Sequence, residues 1–324
     1  MAKAIRMART GGPEVLEYVE VEVGDPGPGE ARVRNHAIGV NFIDVYFRTG
    51  LYPLQLPSGL GQEGAGVVEA VGPGVTHVKP GDRVAYAARP NGSYSELRVM
   101  PAEILVRLPD AISFETGAAA MLQGLTVQYL LKQTYAVQPG DTILFHAAAG
   151  GVGLIACQWA RALGVNLIGT VGSNEKAALA KAHGAAHVIN YNTEDVVQRV
   201  LDITNGAKVP VVYDSVGKDT FARSLDCLRP RGLMVSFGNS SGPVPPFALS
   251  ELASRGSLYI TRPSLGNYAS GRAELEAMAA DLFQVIESGQ VKIEINQRFP
   301  LRDAGKAHIE LEARRTTGKT ILLP

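Results

Sequence analysis

Cysteine is scarce in this chain of 324 residues: there are two, Cys157 and Cys227. Neither belongs to a C-x-x-C pair. That removes a disulfide framework and a four-cysteine metal lobe from consideration, and it suits a reducing cytoplasm. An excess of one charge is also missing. Lys+Arg and Asp+Glu number 31 each, with no basic run, so neither nucleic acid nor an anionic membrane is an expected partner. No stretch approaches the roughly 18 consecutive apolar residues of a membrane helix. Met1–Arg6 is not followed by the apolar core of a secretory leader, and a cytoplasmic protein is expected. The six histidines are scattered. His183 and His187 stand four apart, but Gly184 and the strand-like residues beyond argue against a shared helical face. No metal site is expected.

Glycine is plentiful, at 36 residues, and 46% of the chain is hydrophobic. This describes a globular protein with a sizeable core and many tight turns, long enough for two domains. The first 120 or so residues read as short strands (Ala31–Val40, Gly64–Val71, Arg83–Ala87). They are cut by Pro26-Gly27-Pro28-Gly29, Gly72-Pro73-Gly74 and Pro80-Gly81-Asp82, as in a compact antiparallel barrel or sandwich.

Beyond about residue 125, strands and helices alternate. Strands are expected at Thr142–His146, Asn166–Val171, His187–Ile189, Val209–Tyr213, Gly232–Phe237 and Ser257–Thr261, with helical stretches between them. Six strands joined by crossover helices make an α/β, doubly wound parallel sheet of the Rossmann type. The remainder, with a long helix over Gly271–Ser288 and a last strand at Thr320–Leu323, is expected to return to the N-terminal domain.

The first βα corner carries the chemistry. Thr142–His146 leads into Ala148-Ala149-Gly150-Gly151-Val152-Gly153, and then into an amphipathic pattern at Val152, Ile155, Ala156, Trp159 and Leu163. This is the dinucleotide fingerprint G-x-G-x-x-G with alanine at its first glycine. Gly150 lets the backbone approach a pyrophosphate, Gly153 lets helix pack on strand, and the helix N-terminus offers free N–H groups. The second strand ends Gly172-Ser173-Asn174-Glu175-Lys176, with no acid at its tip to hold a ribose 2′-OH. Ser173 and Lys176 are placed to donate to a 2′-phosphate, a charge-assisted contact worth roughly 1.5–3 kcal/mol. NADPH is therefore the expected cofactor.

These segments resemble the quinone oxidoreductase (zeta-crystallin) branch of the medium-chain dehydrogenase/reductase superfamily, nearly end to end. The resemblance is carried by Gly11–Leu16, Gly39–Asp44, Arg48–Tyr52, Gly64–Val68, Ala147–Gly153 and Val212–Gly217. Arg231–Gly242 and Thr261–Leu265 narrow it to the bacterial NADPH:quinone reductases. Zinc-dependent relatives place cysteine near position 41 and Gly-His-Glu near 61, where this chain has Asn41 and Gly61-Gln62-Glu63.

The resemblance implies a GroES-like catalytic domain from residues 1–124 and 267–324, and an NADPH-binding Rossmann domain over 125–266. The turn Asn41, Phe42, Ile43, Asp44, Val45, Tyr46 would border the nicotinamide, as would Thr126 and Tyr129. Gly151 and Val152 would cover the pyrophosphate. Gly172, Ser173, Asn174, Lys176 and Tyr191 would hold the adenosine phosphate end, with Ser215 near the adenine ribose. Phe237, Gly238, Asn239, Ser240, Pro263, Ser264 and Leu265 would reach the nicotinamide side, and Arg315 a cofactor phosphate, unless it is a plain surface arginine.

The implied activity is NADPH-dependent reduction of a quinone without metal. Asn41, Tyr46, Tyr52 and Gln62 are candidates to stack on the acceptor or donate to its carbonyl. An enone or alkenal double-bond reductase shares fold and cofactor and stays open. So does a non-enzymatic reading, RNA binding or a structural crystallin-like role. A homodimer joined at the sixth strand's edge is also implied.

Overall fold

The computed structural model describes residues 1–88 and 90–324. The chain divides into two compact units: residues 1–125, 269–287 and 293–324 form the first, and residues 126–268 with 288–292 the second.

The first unit begins with β1 (Ala2–Met7), β2 (Glu17–Val21) and the long β3 (Glu30–Val40). Along β3, Ala31, Val33, Asn35 and Ala37 are buried, while Arg34 and His36 are exposed. This is the two-residue period of a half-buried strand. Helix α1 (Phe42–Thr49) follows, then β4 (Ser58–Gly59), β5 (Glu63–Val71), β6 (Arg83–Ala87), β7 (Leu97–Pro101), β8 (Val106–Arg107) and α2 (Phe114–Tyr129).

The segment Asn41–Tyr46, expected as a turn, is instead the cap and opening of α1. Val45, Tyr46 and Phe47 bury its inner face, and Gly50 closes it in the left-handed conformation.

The second unit holds β9 (Thr142–Phe145), α3 (Gly151–Ala162), β10 (Asn166–Val171), α4 (Asn174–Ala182), β11 (His187–Asn190), α5 (Val196–Ile203), β12 (Val209–Asp214), α6 (Phe221–Asp226), β13 (Leu228–Ser236), α7 (Ser250–Ser254), β14 (Tyr259–Thr261) and α8 (Leu265–Tyr268). The sheet runs β11-β10-β9-β12-β13-β14, and every pair is parallel. This is the expected doubly wound sheet, with the order of successive strands reversing between β9 and β12. Leu144, Ile168, Ile189, Val212 and Met234 face Val196, Val200, Phe221 and Leu225 in its core. Each such side chain contributes about 1.5–3 kcal/mol on leaving water.

The chain then returns to the first unit through α9 (Arg272–Glu287), β15 (Ile295–Pro300), α10 (Ala304–Glu312) and β16 (Lys319–Leu323). The sheets of this unit are β2-β1-β4 and the seven-stranded β15-β16-β3-β5-β6-β8, with β7 also on β3. There β15 and β16 pair in parallel, and among the described residues the other pairs are antiparallel.

Candidate functional site

In the second unit the strand order switches between β9 and β12, and ligands of such sheets bind outside the carboxyl ends of the strands at that point. His146 N–H donates to Tyr213 C=O (3.0 Å), and Ala148 N–H to Thr170 C=O (3.0 Å). The left-handed residue of the turn is Ala147, at φ 56°. No side chain caps α3 at Gly150, so its first N–H groups point outward as an anion site. A Cβ on Gly153 would collide with Ala147 C=O and lie 2.6 Å from Ala148 Cα. The turn thus presses against α3 with no room for a methyl group, and the cradle fits a dinucleotide pyrophosphate.

A buried polar cluster ties these strand ends together. His146 Nδ1 lies 2.8 Å from Thr170 Oγ1, and its Nε2 lies 2.9 Å from Ser224 Oγ. Ser224 in turn donates to Asp214 (2.9 Å), which also accepts from Thr220 Oγ1 and from the N–H groups of Val216 and Gly217. Burial pushes the His146 pKa down.

Gly172, Ser173, Asn174, Lys176 and Tyr191 come together at the ends of β10 and β11. The Tyr191 hydroxyl would stand 2.5 Å from a Cβ on Gly172. Asn190 Nδ2 donates to Asn174 Oδ1 (3.0 Å), and Ser173 Oγ caps α4 by accepting Lys176 N–H (3.3 Å). Glu175, absent from the sequence-based site, folds onto this cap. Its own N–H and the Ser173 hydroxyl hold its carboxyl below the usual range.

Ser215 C=O accepts Ser240 N–H (3.2 Å), and Gly238 packs so closely on Ser215 that a Cβ there would strike its carbonyl. The Phe237 ring lies 5.7 Å from that of Phe145. Arg262 was not foreseen. It donates to the Ser236 and Gly238 carbonyls (3.0 Å each), and the Asn239 amide, assigned with its oxygen toward the guanidinium, accepts from its Nη2 (3.1 Å). It thereby ties the loop Phe237–Ser240 to the segment that leads into Pro263, Ser264 and Leu265. Tyr129 stacks on Tyr268 at 4.5 Å, and its hydroxyl bonds to Thr126.

In the first unit, Phe42, Tyr46 and Tyr52 form one aromatic group, with centroid distances of 6.0 Å and 5.2 Å. Gln62 is buried, and among the described residues its Nε2 has no hydrogen-bond partner. A buried donor left empty costs roughly 1–3 kcal/mol, so it is expected to meet a ligand acceptor. Asn41, by contrast, is held on both sides of its amide. Its Nδ2 donates to Glu63 Oε2 (2.7 Å), and its Oδ1 accepts from Lys319 Nζ (2.6 Å) and Gln123 Nε2 (3.3 Å). Neither Lys319 nor Glu63 was among the sequence candidates.

A second chain starts at Asp44. Arg48 has only donors, so His308 Nδ1 (3.1 Å away) must accept, and His308 Nε2–H donates to Tyr94 (3.0 Å). The Tyr94 hydroxyl then donates to Asp44 Oδ2 (2.9 Å), which also accepts Asn41 N–H (2.9 Å). Among the described residues, Asp44 Oδ1 has no partner. Lys319 is balanced by Glu63 and Arg48 by Glu312 (2.8 Å), so an ionised Asp44 would be the uncompensated charge. Burial pushes its pKa up to about 7. Burial and the Arg48 guanidinium lower that of His308 to about 3.

Arg315 forms a two-toothed ion pair with Glu310 (2.7 and 2.6 Å), which favours the surface-arginine alternative. Both cysteines are free and buried, with thiols pushed up to about 12. Among the described residues, no group of three or more His, Cys, Asp or Glu could hold a metal ion.

A doubly wound sheet with a glycine-cradled anion site, attached to a β-rich unit, defines a nucleotide-dependent dehydrogenase or reductase of the medium-chain type. Two family models agree: "Alcohol dehydrogenase GroES-like domain" matches residues 27–110 and "Zinc-binding dehydrogenase" residues 151–284. The chain belongs to the quinone oxidoreductase family. It is 64% identical to a quinone oxidoreductase of Pseudomonas aeruginosa, covering 100% of both chains. It is 47% identical to a 2-haloacrylate reductase of a Burkholderia species, over 100% of this chain and 99% of the relative. The crystal structure of Escherichia coli quinone oxidoreductase complexed with NADPH superimposes with a TM-score of 0.99, at 56% identity and 100% coverage of both chains.

Proposed function

We propose that the protein is an NADPH-dependent quinone reductase. The observation that carries this reading is the uncapped, methyl-tight glycine turn of α3, joined to a second strand tip with Ser173 and Lys176 and no acid on the strand itself. Full-length likeness to quinone oxidoreductases, one of them solved with NADPH, supports it.

Gly150, Gly151, Val152 and Gly153 hold the pyrophosphate. Gly172, Ser173, Asn174, Lys176 and Tyr191 hold the 2′-phosphate end. Ser215 and the loops Phe237–Ser240 and Pro263–Leu265 hold the rest. NADPH, when bound, supplies the hydride. Half-buried Tyr52, backed by the buried Tyr46 ring, offers flat apolar surface, and Gln62 Nε2, unpaired among the described residues, is the donor for an acceptor carbonyl. Asn41, with its amide spent on Glu63 and Lys319, shapes the turn rather than touching the acceptor.

Reduction of an activated C=C bond is the second reading, favoured by the 2-haloacrylate reductase relative. Comparing kcat/KM for 1,4-benzoquinone, phenanthrenequinone and 2-alkenals separates the two. Quinones are expected to lead, and alkenals leading would transfer the assignment.

A homodimer through the free edge of β14 and a cytoplasmic location complete the proposal. Tyr259 and Ile260, exposed on that edge strand, support the first. Two unpaired buried thiols suit the second.

A further inference from the structure

Lys319 opens β16 and is 2% exposed, although lysine is almost never fully buried unless paired. Its Nζ lies 2.6 Å from both Glu63 Oε2 and Asn41 Oδ1. Glu63, fully buried at the start of β5, also accepts the N–H of Leu122 on α2 (2.6 Å). Four separate elements therefore converge on one ion pair. Such a pair is often replaceable by apolar residues without loss of stability, so its presence calls for another role.

The role is visible in Asn41. A carboxylate faces its NH2 and an ammonium faces its oxygen. Turning the amide over would set like against like on both sides. The amide has one orientation, and Asn41 is also the N-cap of α1, which carries Phe42 to Tyr46. Glu63, the other partner, follows directly on Gln62, whose Nε2 is the unpaired donor.

We propose that Lys319 is a positioning residue: its ammonium, clamped by Asn41 and Glu63, holds the first turn of α1 and the Gln62 donor in the arrangement an acceptor meets. This rests on the reading of the protein as a quinone reductase.

The test uses Lys319→Met combined with Glu63→Gln, which buries no unpaired charge, and Lys319→Arg alone. Hydrogen exchange of the amides at 41–46, NADPH affinity by fluorescence, and steady-state kinetics are read together. In the double variant, amide exchange in the first turn of α1 is expected to rise about tenfold. Its kcat for quinone should fall about tenfold or more, with NADPH affinity and KM within about twofold. Lys319→Arg should restore most of kcat. Unchanged exchange with unchanged kcat in the double variant overturns the proposal, as does a loss confined to melting temperature. If the wild-type protein reduces no quinone, the functional reading falls, and the exchange arm alone decides whether Lys319 holds the turn.

Discussion

Lys176 and Asp44 show how single side chains set binding and pH response. Lys176 stands on the first turn of α4, beside the Ser173 cap. A cation there favours a 2′-phosphate and is indifferent to a 2′-hydroxyl. Lys176→Glu is expected to raise KM for NADPH about tenfold or more and to leave KM for NADH nearly unchanged. Equal shifts for both cofactors would contradict the assignment.

Asp44 makes a thermodynamic prediction. Its pKa is raised from 3.8 to about 7 on folding, because burial penalises the carboxylate more than Asn41 N–H, Tyr94 and Lys319 favour it. The folded state therefore holds the extra proton across that interval. Asp44 contributes its stability fully at acid pH and loses it as pH rises toward about 7. His308 acts with the opposite sign. Its folded pKa of about 3 against 6.5 makes stability rise with pH between those values. The two slopes offset each other in the wild type. Asp44→Asn removes one of them, so denaturant unfolding should show the variant gaining on the wild type steadily from about pH 4 to about pH 7. A difference independent of pH would show that Asp44 is ionised throughout.

At the scale of elements, the joint between β9 and α3 admits no added atom. Gly153→Ala would press a methyl group into the Ala147 carbonyl and to 2.6 Å from Ala148 Cα. The expected result is about 1–3 kcal/mol of lost stability and loss of NADPH binding by fluorescence titration. Unaltered affinity would mean that the turn does not cradle the cofactor. This joint was legible in the sequence because strand, glycine turn and helix are contiguous and their periods differ. The six parallel strands were legible for the same reason. The helix at Phe42–Thr49 was not, because its aromatic run lacks a clear helical period outside its tertiary setting. The Lys319–Glu63–Asn41 cluster was invisible: its members stand 22 to 278 positions apart. A lysine ahead of Thr320–Leu323 reads as an ordinary strand end until the fold buries it. Gln62 was foreseen as a donor, but only burial shows that its amide is unspent while that of Asn41 is committed.

At the scale of the molecule, the sheet of the second unit ends in β14, whose outer edge pairs with no other strand among the described residues. Tyr259 and Ile260 are exposed there, at 61% and 38%. An apolar open edge is a template for pairing, and a second copy would extend the six strands into a continuous sheet. Light scattering at micromolar concentration is expected to give a dimer mass, and Ile260→Lys a shift toward monomer. A monomeric wild type would refute the edge pairing.

On the reading proposed above, the cofactor site selects NADPH for the reduction of quinones. That selection is tested most directly by the initial rate of NADPH oxidation with 1,4-benzoquinone, with NADH run alongside. A quinone-dependent rate with a much higher kcat/KM for NADPH than for NADH is predicted. No quinone-dependent oxidation, or equal efficiency with the two cofactors, would contradict it.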